Sequence, residues 1–223
     1  MLFKLKLAVL CDFDGTIASI DTGLFLLQKF GHGDWEEYDA KLEKGEITLE
    51  QCLIAQYAMI KASKEEILLS LEREKIEIRP YFEEFIRYCK VNNFSFVIVT
   101  GGIDFCIDHV LKRYASYTIH SGKSVHSLEG IQITFPPLNS KKSINFKDDL
   151  VEKYRKIGHK IVYIGDGHSD YEPSKKADLV FTVKGSSLGR MCKRNGIEHV
   201  EFSNFSEVQD KIVAWTRAHS TSK

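Results

Sequence analysis

The chain has 223 residues, 43% of them hydrophobic, and its 31 Lys and Arg balance 31 Asp and Glu. That is enough apolar material for one sizeable domain, or one domain with an insert, and the charge balance argues against bulk attraction to nucleic acid or to an anionic membrane. No apolar run approaches the ~20 residues that span a bilayer, the opening MLFKLKLAVLCDFDG meets acidic residues too early for a signal peptide, and Cys11, Cys52, Cys89, Cys106 and Cys192 form no CxxC pair, so the expectation is a cytoplasmic chain with reduced thiols.

The first strand-length apolar run is LAVLC (7–11), which leads straight into DFDGT. Residues 17–78 carry no convincing strand and read as helices near 21–30, 34–44, 48–61 and 63–74; Thr48 with Gln51 and Ser63 with Glu66 have capping-box spacing. FSFVIV (94–99) is the second strand, followed by a helical IDFCIDHVLKRYA (103–115). Residues 117–138 alternate around Ser121-Gly122-Lys123 and Glu129-Gly130, which predicts a β-hairpin excursion ended by Pro136-Pro137. A helix over 146–158 stops at Gly158, and the strands KIVYI (160–164), LVFTV (179–183) and HVEF (199–202) follow, with a helix over 186–196 between the last two. Ser206 with Gln209 predicts a capping box for a final helix through Trp215.

Apolar runs of strand length separated by helices predict an α/β fold with a doubly wound, Rossmann-like parallel-sheet core. The helical block after the first strand predicts an inserted cap: 1–16 and 79–223 form the core and 17–78 the cap. In open α/β sheets ligands sit beyond the carboxyl ends of the strands. Asp12, Thr100 and Asp166 each follow a predicted strand, so three polar positions converge on one edge.

Asp12 and Asp14 point the same way on an extended backbone. Two anions on one side repel unless a cation or shared proton offsets them, so the pair is either a turn or part of a metal site. Gly15-Thr16 permits a tight turn close to a ligand. In VIVTGGID, the Thr100 hydroxyl and the amides of Gly101 and Gly102 suit either a phosphate seat or a plain strand-to-helix turn. Asp166 and Asp170 in GDGHSD form a second carboxylate group, and Asp178 reads as a turn residue. A phosphate site also needs a fixed cation; Lys141, Lys142 and Lys147 are candidates, and Lys147 opens a predicted helix. The eight histidines show no zinc spacing.

Taken in order, DFDGT, VTGG, a helix-opening lysine and GDGHSD resemble the four motifs of the haloacid dehalogenase superfamily of phosphohydrolases. The inserted helical cap resembles the phosphoserine phosphatase-like branch. TGGID, the hairpin before TFPP and the spacing from Lys147 to Asp166 resemble the methylthioribulose-pathway phosphatases of that branch, which act on 2-hydroxy-3-keto-5-methylthiopentenyl-1-phosphate. The resemblance implies a phosphoric monoester hydrolase that uses Mg²⁺ and acts on a small-molecule phosphate ester, with no nucleic-acid or membrane partner, as a monomer or homodimer. It implies that Asp12 is the nucleophile and Asp14 the acid and base. Thr100 and Gly101 would hold the phosphoryl oxygens, with Lys147 neutralising charge. Asp12, Asp166 and the main-chain carbonyl of Asp14 would hold the metal, supported by Asp170. The second aspartate favours phosphate esters over halides, whose departure needs no proton.

The cap should choose the substrate. Phosphoserine phosphatases carry a cap glutamate, matched here by Asp21, and an arginine after a FEQSL-like stretch. The matching LEQCLIAQYA offers Ile54 and Gln56 instead, which leaves a substrate carboxylate without a bidentate partner and demotes phosphoserine to the alternative. A non-catalytic phosphate-binding protein on the same fold is the alternative of a different class.

Overall fold

The computed structural model describes residues 5–114 and 117–220. The apolar runs become a six-stranded parallel sheet: β1 (Leu7–Cys11), β2 (Ser95–Val99), β3 (Thr118–His120), β6 (Lys160–Gly165), β7 (Leu179–Val183) and β8 (Val200–Phe202), in the order β3-β2-β1-β6-β7-β8. Between them β4 (Lys123–Ser127) and β5 (Gly130–Thr134) form a separate antiparallel pair. Side chains alternate across the sheet, and both faces are covered. Leu7, Val9 and Cys11 pack with Phe96, Ile98, Phe82, Phe85 and Phe205 on one face, and Ala8 and Leu10 pack with Val97, Val99, Ile161, Tyr163, Phe146 and Leu150 on the other. The first face is covered by α5 (Phe82–Val91), α6 (Asp104–Val110) and α10 (Phe205–Ser220), and the second by α7 (Phe146–Lys156). The short α8 (Tyr171–Ser174) and α9 (Ser187–Arg194) flank β7.

Chain order runs outward from β1 in both directions, so the sheet's switch point lies between β1 and β6. In register, Cys11 pairs with Ile98 on β2 and with Ile164 on β6. The residues just past these strands therefore meet at one crevice.

Four helices lie between β1 and α5: α1 (Thr22–Phe30), α2 (Glu36–Glu43), α3 (Leu49–Tyr57) and α4 (Lys64–Glu74). Reciprocal capping boxes start α3 at Thr48/Gln51 and α4 at Ser63/Glu66. The outgoing and returning linkers run side by side: Ser19 N–H donates to the Glu77 carbonyl at 2.9 Å and Arg79 N–H to the Ile17 carbonyl at 2.8 Å. Leu26, Leu27, Tyr57, Ile60 and Ile67 bury their apolar surface against Ile131 and Ile133 of β5 and against Ile103 and Cys106 of the α6 segment. Gly130 marks that contact. Its φ is +140°, and a Cβ there would strike the backbone carbonyl of Ala58.

Three details depart from the sequence reading. The predicted excursion over 117–138 contains two things, because its first residues, Thr118–His120, join the main sheet beside β2 before the hairpin begins at Lys123. Helix α5 was not predicted; it starts at Tyr81, which has φ +65° and makes no side-chain cap bond, so the usual start signal is missing. The last helix starts at Phe205, one residue before Ser206. Its cap is Asn204, whose Oδ1 accepts the Ser206 and Glu207 amides, so the Ser206/Gln209 spacing is incidental.

Candidate active site

Asp12 leaves the end of β1, its backbone N–H still bonded to the Ile164 carbonyl at 2.9 Å. Phe13 turns into the core, fully buried, while Asp12 and Asp14 both line a cavity of about 300 Å³ between the sheet edge and the α1, α2 and α3 segments of the insert. Thr100, Gly101, Lys147 and Asp166 line the same cavity, and so does Asp21 from the helical insert. Asp170 sits behind it, fully buried.

Lys147 is the hinge of the electrostatics. Its ammonium lies 3.0 Å from Asp12 Oδ1 and 2.8 Å from Asp170 Oδ1, and it donates to Ser169 Oγ at 3.0 Å. Asn145 caps α7 by accepting the Asp148 amide, which sets Lys147 in the first turn, two residues past the cap. Lys141 and Lys142 are exposed. Burial opposes the Lys147 charge, but Asp12 and Asp170 outweigh it and raise its pKa.

Asp170 is saturated. Oδ1 accepts from Lys147 and from Tyr163 Oη at 2.8 Å each, and Oδ2 accepts the Asp166 and Gly167 amides at 3.1 and 3.0 Å. Four donors occupy what a carboxylate offers. Burial alone would raise its pKa; Lys147 and these donors hold it below the ordinary value.

The other three carboxylates go the opposite way. Burial, then Asp170, raises Asp12 well above the usual range, with Lys147 offsetting in part. Burial, then Asp21, pushes Asp14 up to about 7 although Thr22 donates to it from both N–H and Oγ1. Asp166, which accepts the Thr16 hydroxyl at 2.8 Å, is pushed up to about 6 by burial and then Asp170.

One ammonium thus serves four carboxylates. A divalent cation would supply the missing charge, and the donors suit it. Carboxylate oxygens of Asp12, Asp166 and Asp170 lie within 4.8 Å of one another, with hard oxygen ligands of the kind magnesium prefers. Asp170 is already spent on its four donors, which leaves Asp12 and Asp166 as the open pair. Room is built in at Gly15, with φ +70°, where a Cβ would collide with the Asp166 carboxylate.

These shifts carry a prediction. A carboxyl whose folded pKa lies above its unfolded value stabilises the fold at low pH, and that contribution is lost as pH rises through the folded pKa. For Asp166 the window runs from about 6 down to the ordinary value of 3.8. His120 and His159, whose pKa values burial lowers, act oppositely over the same range, so the clean comparison is with Asp166→Asn. In chelator the variant is expected to melt higher than wild type at pH 8, with the gap closing at pH 5. Added Mg²⁺ should raise wild-type Tm at pH 8 more than at pH 5, because protons compete for the same oxygens. A gap independent of pH would remove Asp166 from this role.

Several contributors gave no sequence signal. Tyr163 hides in a core strand, yet its hydroxyl fixes Asp170. Arg79 donates from Nε to the Thr16 carbonyl at 2.8 Å and from Nη2 to the Gly15 carbonyl at 2.9 Å, pinning the turn beneath Asp166. Asp21 lines the cavity but also caps α1, accepting the Leu24 amide at 2.8 Å. Of the two residues offered where the resemblance would want an arginine, Ile54 is 43% exposed and does not line the cavity, while Gln56 does line it and donates to Asp39 at 2.9 Å.

The haloacid dehalogenase-like hydrolase family model matches residues 9–172. A 2-hydroxy-3-keto-5-methylthiopentenyl-1-phosphate phosphatase of Bacillus cereus (strain B4264) is 28% identical over 213 residues, 93% of this chain and 96% of its own. A Brevibacillus brevis protein of the same name is 28% identical over 91% of this chain and 93% of its own. A phosphoserine phosphatase solved as a phospho-aspartyl intermediate analogue superposes with TM-score 0.69 at 20% identity, over 93% of this chain and 99% of that one.

Proposed function

The chain belongs to the haloacid dehalogenase-like hydrolase family, and from that premise we propose that it is a Mg²⁺-dependent phosphomonoesterase working through an aspartyl phosphate. The observation that carries this reading is the convergence of Asp12, Asp14, Thr100, Lys147 and Asp166 on one cavity at the ends of three neighbouring parallel strands. In this reading residues 17–78 are the cap and 1–16 with 79–223 the core.

Asp12 attacks phosphorus as the ester P–O bond breaks, and Asp14 gives its proton to the departing oxygen. Asp14 then takes a proton from water as that water attacks the aspartyl phosphate, releasing inorganic phosphate and restoring Asp12. Lys147 offsets charge on Asp12 and on the phosphoryl oxygens. Thr100 Oγ1 accepts the Gly102 amide at 2.9 Å, so its hydroxyl proton remains to hold a phosphoryl oxygen, together with the Gly101 amide. Asp12, Asp166 and the Asp14 carbonyl hold the Mg²⁺, which when bound offsets the repulsion between a carboxylate and an anionic ester. Phosphoryl transfer asks for positioning and charge neutralisation above all, and both are what this residue set provides.

For the ester, the cavity favours a methylthiopentenyl-phosphate type over phosphoserine. Leu24, Leu27, Trp35, Leu42 and Leu53 supply apolar wall, and among the described lining residues Lys147 is the one Lys or Arg. A substrate carboxylate would be buried without a partner, which costs binding. A panel of esters with released phosphate as readout tests this. The methylthiopentenyl phosphate, which carries no carboxylate or ammonium, is expected to exceed phosphoserine in kcat/KM by at least about tenfold, or about 1.4 kcal/mol. Preference for phosphoserine would favour the alternative, and phosphate binding without any turnover would favour a non-catalytic protein.

A further inference from the structure

The loop after β2 is fixed at both ends of one peptide bond. The Gly102 N–H donates to Thr100 Oγ1 at 2.9 Å, and the Gly101 carbonyl of the same peptide accepts the Tyr57 hydroxyl at 3.1 Å. The first partner belongs to the loop. The second comes from the end of α3, in the helical insert. Tyr57 is 3% exposed, so its hydroxyl needs a partner where it sits, and the Gly101 carbonyl is that partner. Its neighbour on the same helix, Leu53, also leans on this loop, since a Cβ on Gly101 would lie 2.7 Å from Leu53 Cδ1. From the other side Gly23 makes room: a Cβ there would stand 2.8 Å from the Tyr57 hydroxyl oxygen.

We infer that Tyr57 is a latch, a positioning residue that couples the seated helical cap to the phosphate loop. When the insert sits against the core, the hydroxyl fixes the Gly101–Gly102 peptide, whose N–H in turn holds the Thr100 hydroxyl. When the insert lifts, the carbonyl loses its donor and the loop is held from one end. By linkage, whatever the loop binds then favours the seated cap. The inference rests on the proposed phosphatase reading for the identity of the bound group, but the contact itself joins two separate parts of the chain.

Tyr57→Phe keeps the ring and removes the donor. It is expected to fold with a Tm within a few degrees of wild type in phosphate-free buffer, since only one neutral hydrogen bond is lost. It should lose about tenfold in kcat on para-nitrophenyl phosphate, because a loop held from one end aims the Thr100 hydroxyl less well at the transferring phosphoryl group, with KM changed less. The rise in Tm caused by inorganic phosphate should shrink in the same variant. Gly23→Ala is expected to reproduce the defect in the wild-type background, by pushing the hydroxyl off Gly101, and to add nothing in the Tyr57→Phe background, where no hydroxyl remains to displace. Multiplicative effects of the two changes would overturn the latch, as would a Tyr57→Phe protein with unchanged kcat and an unchanged phosphate-induced shift. A wild-type protein that is stabilised by phosphate but hydrolyses nothing sinks the phosphatase reading and leaves the Tm shift to decide the latch.

Discussion

Replacing Asp12 by asparagine is expected to lower the turnover of any phosphate ester by about four orders of magnitude or more, the scale seen when a covalent nucleophile is removed. Asparagine has nearly the shape of aspartate. Its amide oxygen can still accept the Phe13 amide, which now donates to Oδ1 at 2.8 Å, and can still face Lys147. What it lacks is the charge and the nucleophilic pair. The same replacement removes a carboxylate whose charged form burial and then Asp170 disfavour, so the metal-free variant should melt no lower than wild type. Loss of function with retained or increased stability is the signature of a site that stores charge for chemistry. Steady-state release of phosphate and a thermal melt in chelator check both halves. A variant that retains turnover within tenfold removes the nucleophile from Asp12, whatever its Tm.

Asp14→Asn is expected to cost about 10²- to 10⁴-fold in kcat, the usual worth of a positioned acid–base group. The loss should depend on the leaving group. An alkyl alkoxide needs a proton as the bond breaks and should suffer the full effect. para-Nitrophenolate leaves without help, so with that ester the first step should be nearly spared and the remaining loss should fall on hydrolysis of the aspartyl phosphate. A burst of nitrophenol followed by a slow steady state is then the expected trace. The environment supports the role: Asp14 is pushed up to about 7, which keeps a proton available near neutrality, and Thr22 holds Oδ1 from two donors at 2.8 and 2.5 Å. An equal loss for alkyl and aryl esters, with no burst, would reassign the acid.

What the sequence made legible follows from where its constraints were local. LAVLC, FSFVIV and KIVYI are apolar on both alternations, apart from Ser95 and Lys160 near their starts, because both sheet faces are covered, and that pattern led to the parallel core and to the residues after each strand. Thr48/Gln51 and Ser63/Glu66 are short-range bonds written in the sequence, and both form. Thr118–His120 was harder to read because an edge strand of three residues, one exposed and two half-covered, carries no apolar run. Tyr163 and Tyr57 were hidden for a related reason. Each sits at an apolar position in its element, and only the partner that the fold brings to it, Asp170 or the Gly101 carbonyl, shows what the hydroxyl does. Arg79 is more distant still: its partners, the Gly15 and Thr16 carbonyls, lie more than sixty residues away along the chain. The choice among Lys141, Lys142 and Lys147 was open in the sequence for the same reason, and it is Lys147 that lies between Asp12 and Asp170.

The measurement closest to the central claim is chemical trapping of the phosphorylated side chain. Enzyme quenched during turnover with Mg²⁺ and substrate is treated with borohydride, which reduces an aspartyl phosphate to the alcohol, and the peptides are mapped by mass. Reduction at Asp12, dependent on substrate and absent from Asp12→Asn, is the predicted result. Turnover with no reduced residue at Asp12, or with the label on another carboxylate, would contradict attack by Asp12 on phosphorus.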